Sequence, residues 1–236
     1  MVSYQPHAMG AAVRNDNFIG MGLYTPTEAG RLLHVPSKKI TRWLRGHSVK
    51  GKRYERLWRP QIVMEDDAIF LGFRDLMEMR AADAFMKAGV SAYMIRRAIE
   101  EARKYVDDER PLSTTKFRTD GRSIFLEIAD ENNDTKLLDL FRRQYAFKRI
   151  LDASLKGVEF DGIAPSRWWP LSRQKGILID PQRSFGQPIE AESGVPTATL
   201  AAAAHTEGIN NASKLWRVSR QAMRRAVEYE DLLQAA

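Results

Sequence analysis

Two prolines set a short helix apart constrain this chain more tightly than any other feature of it. Thr25 supplies a capping hydroxyl, and Pro26 follows at the first helical position, where its missing N–H costs nothing. Ala29, Leu32 and Leu33 recur at helical spacing and give that helix one apolar face. His34-Val35-Pro36 then stops it, and Ser37 is positioned to cap a second helix. There Ile40, Trp43 and Leu44 form the inward side, so Lys38, Lys39, Thr41, Arg42 and Arg45 point out. Two short helices about a tight turn, the second with outward cations and a hydroxyl near its start, have the shape of a helix-turn-helix. In that motif the second helix enters the major groove and its first residues reach base edges.

Gly46-His47 ends the second helix. Ser48–Arg59 reads as a hairpin turning at Gly51, with Lys50, Lys52, Arg53, Arg56 and Arg59 along it and Tyr54, Leu57 and Trp58 between them. A basic hairpin at that point is what a winged helix-turn-helix needs to hold flanking phosphates. From Arg31 to Arg59 the sole acid is Glu55, against Arg31, Lys38, Lys39, Arg42, Arg45 and the five cations of the hairpin. The segment therefore carries more positive charge than the net +7 of the whole chain, and the remainder is close to neutral or slightly acidic. Charge concentrated in this way is an electrostatic footprint for nucleic acid. An ordinary solvated basic face would show the charge without the caps, turn and wing that agree with it here.

The 236 residues allow two modest domains or one large one, and 44% hydrophobic content supports buried cores. No apolar run reaches the roughly 18 residues of a membrane span. The start of the chain lacks the charged-then-apolar order of an export signal, so a cytoplasmic protein is expected. With no cysteine, disulfides, thiolate catalysis and cysteine-held zinc are excluded. A pI near 9.7 points to a polyanion partner. A membrane surface fits less well, because no basic amphipathic helix with an exposed aromatic face stands out.

Residues 1–22 mix Gly, Ala and Asn without period and are expected to be a mobile arm, with Phe18 and Ile19 docking on the first domain. Beyond the wing, Ile62-Val63-Met64 reads as a small strand. Glu65-Asp66-Asp67 then places acids at a helix start, where they favour the dipole more than they suggest a metal. That helix is predicted from about Ala68 to Ala88, stopped by Gly89. Ser91 caps the next, with a stripe of Tyr93, Ile95, Ala98, Ile99, Ala102 and Tyr105. Lys116–Thr119 and Ser123–Ile128, parted by Asp120-Gly121, predict a hairpin, since Asp-Gly suits a tight turn between strands. One long helix is predicted over Leu137–Leu155. Its apolar positions exceed a narrow stripe and ask for two packing partners, one of which could be a symmetry mate.

The 157–175 stretch reads as a linker by composition, although Trp168-Trp169 must dock somewhere, a ring burying about 150–250 Å². Ile177–Ile179 is a short strand and Phe185–Ile189 its return. An alanine-rich helix over Pro196–His205 ends by Gly208, and a further helix runs to Trp216. Val218-Ser219 is a turn, and Arg220–Leu233 closes the chain with Ala222, Met223, Ala226, Val227 and Tyr229 inward. This is a second helix-turn-helix shape, with Arg220, Gln221, Arg224 and Arg225 outward, but Glu228, Glu230 and Asp231 follow closely. It reads as a weaker DNA contact or a protein-contact module.

The expected fold is mainly α with small β hairpins. It comprises an arm (1–22), an N-terminal winged helix-turn-helix domain (23–130), a connecting helix (135–156), a linker (157–175) and a smaller C-terminal helix-turn-helix-like domain (176–236).

Tyr24-Thr25-Pro26-Thr27-Glu28-Ala29 through Trp43-Leu44-Arg45-Gly46 resembles the winged helix-turn-helix of the MerR-like DNA-binding superfamily. Ile177-Leu178-Ile179-Asp180-Pro181-Gln182-Arg183-Ser184-Phe185-Gly186-Gln187-Pro188-Ile189, followed by Val195-Pro196-Thr197 and the closing helices, resembles a domain found in antitoxins. Those antitoxins are paired with PIN-like ribonuclease toxins, as in VapBC-type modules. Together the two resemblances cover about Leu23–Leu233. Relatives often carry Gly-Thr-Arg before the proline, where this chain has Glu192-Ser193-Gly194-Val195, so no role of that arginine carries over.

The resemblance implies a two-domain VapB-type antitoxin that represses its own operon by binding double-stranded operator DNA as a homodimer, and that blocks a PIN-like toxin. Ser37, Lys38, Lys39, Thr41 and Arg42 would then face the groove, with Arg45, Lys50, Lys52, Arg53 and Arg56 on phosphates. Arg220, Gln221 and Arg224 would make a second DNA or protein contact. The alternative is a stand-alone DNA-binding regulator with a C-terminal sensing or interaction domain. No enzyme is expected. His7, His34, His47 and His205 are scattered, no metal-spaced pair or nucleophile–base motif appears, and no metal or other cofactor is implied.

Overall fold

Thr25 caps α1 (Pro26–Leu33) reciprocally with Glu28: its hydroxyl accepts the Glu28 N–H, and the Glu28 carboxylate accepts the Thr25 N–H at 2.7 Å. His34 ends the helix in the left-handed region, φ 53°. The computed structural model describes residues 18–63 and 68–235. In α2 (Ser37–Arg45) the cap position belongs to Pro36, which offers no side-chain bond. Ser37 is thus the first helical residue rather than the cap, and its carbonyl accepts the Thr41 hydroxyl at 3.1 Å. Strands β1 (His47–Val49) and β2 (Lys52–Tyr54) follow, turning at Lys50 and Gly51, both at positive φ. The hairpin is shorter than expected, because Leu57 and Trp58 leave it for the core, 5% and 2% exposed.

Strands β3 (Ile62–Val63) and β4 (Ile69–Phe70) pair antiparallel. The acids Glu65-Asp66-Asp67, together with Met64, lie outside the described residues. Helix α3 (Phe73–Lys87) starts later than the Ala68 expected, because Gly72 is extended and its N–H is taken by Asp75 at 3.2 Å. Ser91 caps α4 (Ala92–Val106) through the Met94 N–H. Its buried stripe runs through Met94, Ile95, Ala98, Ile99, Ala102 and Val106. Tyr93 and Tyr105, expected inward, are exposed, because each lies one residue off that stripe.

The hairpin expected over 116–128 is instead one helix, α5 (Thr115–Glu131), capped by the Thr114 hydroxyl on the Phe117 N–H. Phe117, Gly121, Ile124, Phe125 and Ile128 share its buried face, a helical period that outweighs the local turn preference of Asp120-Gly121. Gly121 serves packing here: a Cβ on it would lie 2.7 Å from the Phe117 ring. The long helix expected over 137–155 is two, α6 (Thr135–Arg142) and α7 (Gln144–Ser154), broken at Arg143 where ψ is 96°. Phe85, Phe117, Phe125, Phe141 and Phe147 interlock where α3, α5, α6 and α7 meet, with Phe125 stacked on Phe141 at 4.8 Å. A fully buried Phe contributes roughly 1.5–3 kcal/mol, so this cluster dominates the central packing.

Residues 157–175, expected as a linker, form strands β5 (Val158–Asp161) and β6 (Ala164–Trp168). With β7 (Ile177–Ile179) and β8 (Pro188–Glu190) they make an antiparallel sheet in sequence order. Trp168 is 4% exposed beneath the Arg80 guanidinium, which lies 4.5 Å from its ring. Helix α8 (Thr197–Trp216) is interrupted at Gly208 (φ 75°, ψ 149°), and Ser219 caps α9 (Arg220–Gln234).

One apolar core runs from Tyr24 to Leu233, so the C-terminal sheet and α9 share it with α1 and α2. A smaller core joins α8 to α9 around Leu200, Ala212 and Met223. Ser184, Phe185 and Gly186 lie in succession at positive φ. The carbonyls of Phe185 and Gly186 accept the Leu23 N–H (2.9 Å) and the Tyr24 hydroxyl (2.8 Å). Of the arm, residues 1–17 lie outside the described residues. The Met21 carbonyl holds the Phe73 N–H at 2.7 Å, while Ile19, expected to dock, is 79% exposed.

Candidate nucleic-acid interface

Ile40, Trp43 and Leu44 are buried and fix which side of α2 faces water. Lys38, Arg42 and Arg45, at spacings of four and three residues, line the opposite side and are exposed. Ser37 and Thr41 are half-buried, the Thr41 hydroxyl turned back on the helix. Lys39 departs from the outward set. Its ammonium lies 2.9 Å from the buried Asp83 carboxylate and over the Trp43 ring at 4.8 Å, and Asp83 also holds Lys87 at 2.7 Å.

The hairpin is exposed at Ser48, Val49, Lys50 and throughout β2. Lys52 sits 5.5 Å from the Tyr54 ring, and that ring stacks on His47 at 4.9 Å. Arg53 pairs with Glu55 at 2.9 Å, both well exposed, a contact of the kind that contributes little. Arg56 is exposed, and its carbonyl accepts Arg96 Nε of α4 at 2.8 Å while Arg96 Nη2 takes the Glu55 carbonyl.

Where the chain leaves the β1–β2 hairpin lies a carboxylate that sequence reasoning missed. Asp75, fully buried, accepts Trp58 Nε1 (3.1 Å), the Gln61 N–H (2.7 Å), the Gly72 N–H (3.2 Å) and Arg110 Nε (2.6 Å). Arg110 also reaches the Arg59 carbonyl at 3.1 Å. Asp75, Arg96 and Arg110 together fix where the hairpin leaves the helices. Their partners are far apart in sequence, and the one local sign was an acid three residues after a glycine.

Glu78, also fully buried on α3, accepts the N–H groups of Leu112 and Ser113 at 3.0 and 2.9 Å. Burial pushes its carboxyl up to about 7, against those bonds and Arg74, which pull it down. Arg80 is lowered to about 10 by burial. On the C-terminal side Arg220, Gln221 and Arg224 are exposed at the start of α9, while Arg225 is drawn inward to Glu190 at 2.6 Å. Burial would raise Glu190, but the Ser193 N–H and Arg225 outweigh it and hold the carboxyl low.

A cavity of about 190 Å³ lies between α1 and the C-terminal unit, lined by Tyr24, Glu28, Leu32, Pro188, Thr197 and Glu230 among others. It is smaller than the roughly 300–1,000 Å³ of sites for drug-sized ligands. A wider groove follows the outer side of α8, where Ala198, Ala202 and Ala203 lie beside Leu215 (70% exposed) and Trp216 (43%). Among the described residues no helix is long and apolar enough to cross a membrane, and no cluster of three or more His, Asp or Glu is placed to hold a metal ion.

The fold as a whole is shared with a solved protein. The crystal structure of Rv2018 from Mycobacterium tuberculosis superposes with a TM-score of 0.69 over 89% of this chain and 99% of its own, at 24% identity, a likeness of fold. The chain is also 27% identical over 193 residues to a Mycobacterium tuberculosis (strain ATCC 25618 / H37Rv) protein named "Putative antitoxin VapB45", covering 75% of this chain and 80% of that one. No protein-family profile matches the chain.

Proposed function

We propose that this protein is a VapB-type antitoxin that binds operator DNA through α2 and the β1–β2 wing and neutralises a toxin, a PIN-like ribonuclease, through its C-terminal unit. The observation carrying this reading is the sequence likeness to the named antitoxin, which extends over three-quarters of the chain. The DNA half is supported by the exposed row Lys38, Arg42 and Arg45 beside an exposed basic hairpin whose base is fixed by Asp75, Arg96 and Arg110. A recognition element must be held rigidly to read base edges, and those contacts tie the hairpin to the helical body. Operators of this class have two half-sites, which a homodimer matches.

For the toxin, the groove on α8 with Leu215 and Trp216 exposed supplies the apolar anchor that protein interfaces centre on. The competing reading, a regulator sensing a small effector, is favoured by the narrow cavity against α1. Co-expression with the adjacent open reading frame separates the two. Growth arrest by the neighbour, relieved by this protein, is the expected outcome; a neighbour harmless on its own would remove the antitoxin half. Gel-shift titration with the DNA upstream of the coding sequence tests the other half.

A further inference from the structure

The break between α6 and α7 carries a second concentration of positive charge. Arg142-Arg143-Gln144-Tyr145-Ala146-Phe147-Lys148-Arg149 contains no acid. Arg142, Arg143, Lys148 and Arg149 are all exposed, and Tyr145 stands among them with 75% of its surface in water. Tyr145, Lys148 and Arg149 fall at spacings of three and four residues and so share one side of α7. Among the described residues no acid pairs with Arg143, Lys148 or Arg149. Arg142 reaches Asp139 only at 3.8 Å, and the nearby Asp152 is taken by Arg118 at 2.5 Å.

The placement is electrostatically costly. Arg143 occupies the cap position of α7 without a side-chain bond, and the first turn has no acid. The positive end of a helix dipole thus meets cations, the reverse of the stabilising arrangement. An exposed tyrosine amid unneutralised cations at such a site fits a polyanion with sugar or base surface to stack on.

The patch and the recognition helix are both anchored on α3. On α3, Asp83 holds Lys39 of α2, and two residues on Phe85 packs against Phe147 of α7 at 5.6 Å between ring centres. Two residues turn a helix by about 200°, so α2 and α7 flank opposite sides of the same end of α3. A helix with its side chains is about 10–12 Å across, less than one turn of duplex, which is about 34–36 Å.

From this we infer that Arg142, Arg143, Tyr145, Lys148 and Arg149 form a second phosphate-binding track that extends the duplex DNA footprint beyond the recognition helix and wing. The inference rests on the DNA-binding reading above.

The test uses the full chain and a fluorescein-labelled duplex from the 5′ flank of its own coding sequence, long enough for two half-sites about one helical turn apart with flanks. Affinity is titrated against salt for the wild type, for Arg142→Gln, Arg143→Gln, Lys148→Gln and Arg149→Gln combined, and for the matching set with lysine at the three arginines. Losing four phosphate contacts in each protomer should lower the log–log salt slope by about 3–4 per protomer bound. The wild type should therefore lose about 10²-fold more affinity per protomer bound than the glutamine set between 50 and 200 mM salt. The lysine set should keep the wild-type slope, which a merely structural role for the arginines would not predict. An unchanged slope in the glutamine set, with Arg42→Ala still impaired, overturns the track and leaves the recognition helix standing. Loss of binding to single-stranded RNA but not to duplex overturns it in favour of an RNA surface. No duplex binding by the wild type at low salt removes both readings together.

Discussion

The Tyr24 hydroxyl donates to the Gly186 carbonyl at 2.8 Å, joining the residue before the cap of α1 to the turn before β8. Both partners are buried, and burial drives the phenol well above its usual range, so it remains a neutral donor. Tyr24→Phe leaves that carbonyl unsatisfied and should cost about 1–3 kcal/mol in urea unfolding. Gly186→Ala should cost more, because its φ is 79° and a Cβ would lie 2.2 Å from the Tyr24 oxygen. Equal stability of Gly186→Ala and wild type would show that this joint is not under tension.

Asp75→Ala strips four donors of their acceptor at once and leaves the Arg110 guanidinium, 13% exposed, without its carboxylate. Removing one member of a buried pair typically costs about 3–5 kcal/mol. Hydrogen exchange should accelerate at Gln61 and Gly72 before it does in α5. A uniform change across the molecule would count against a local role at the base of the β1–β2 hairpin.

Glu78 makes stability depend on pH in an unusual direction. Its carboxyl titrates near 7 when folded, against 4.5 as its ordinary value, so the folded state holds the extra proton between those two values. Stability from this group is therefore present at low pH and declines as pH rises from about 4.5 to 7, by an amount of order a few kcal/mol. The difference in unfolding free energy between wild type and Glu78→Gln should fall across that window. A flat difference would place the carboxylate in an ionised, fully compensated state.

Arg42→Ala and Lys52→Ala should weaken DNA binding in different ways. Arg42, on the exposed side of α2, is expected to set sequence preference, so its loss should bring operator and mixed-sequence duplex closer together. Lys52, on the wing, should lower affinity for both alike and reduce the salt slope by about 1. Equal behaviour of the two variants in competition gel shifts would undo that division of labour.

Leu215→Asp combined with Trp216→Ala should abolish neutralisation of the adjacent toxin in co-expression while leaving operator binding intact. Both side chains are exposed on the outer side of α8, so the melting temperature should hardly move. Rescue of growth by this double variant would exclude the α8 groove as the toxin contact.

What was legible in the sequence was legible for local reasons. Thr25, Pro26 and Glu28 carry their capping instructions within one turn of chain, and Ile40, Trp43 and Leu44 mark the buried side of α2 unaided. The exposure of Lys38, Arg42 and Arg45 follows from the same period. Asp120-Gly121 misled because its turn preference is local, whereas the decision belongs to Phe117, Phe125 and their partners Phe85 and Phe141 from other helices. Trp168 was correctly expected to dock. The strands around it were missed because Pro165 and Pro170 weigh the composition towards a linker, although β5 and β6 pair within the segment itself. Lys39 was placed outward because nothing in α2 announces an acid 44 residues away.

That acid has a property of its own. Asp83 is gripped by two ammonium groups, one from α2 and one a helical turn along its own helix. Should Lys39 exchange its carboxylate for a backbone phosphate, Lys87 stays behind as counter-ion, and no bare charge is stranded in the interior. A lysine with such an understudy is able to change partners at small cost, so the start of α2 holds a cation in reserve while the protein stands unbound.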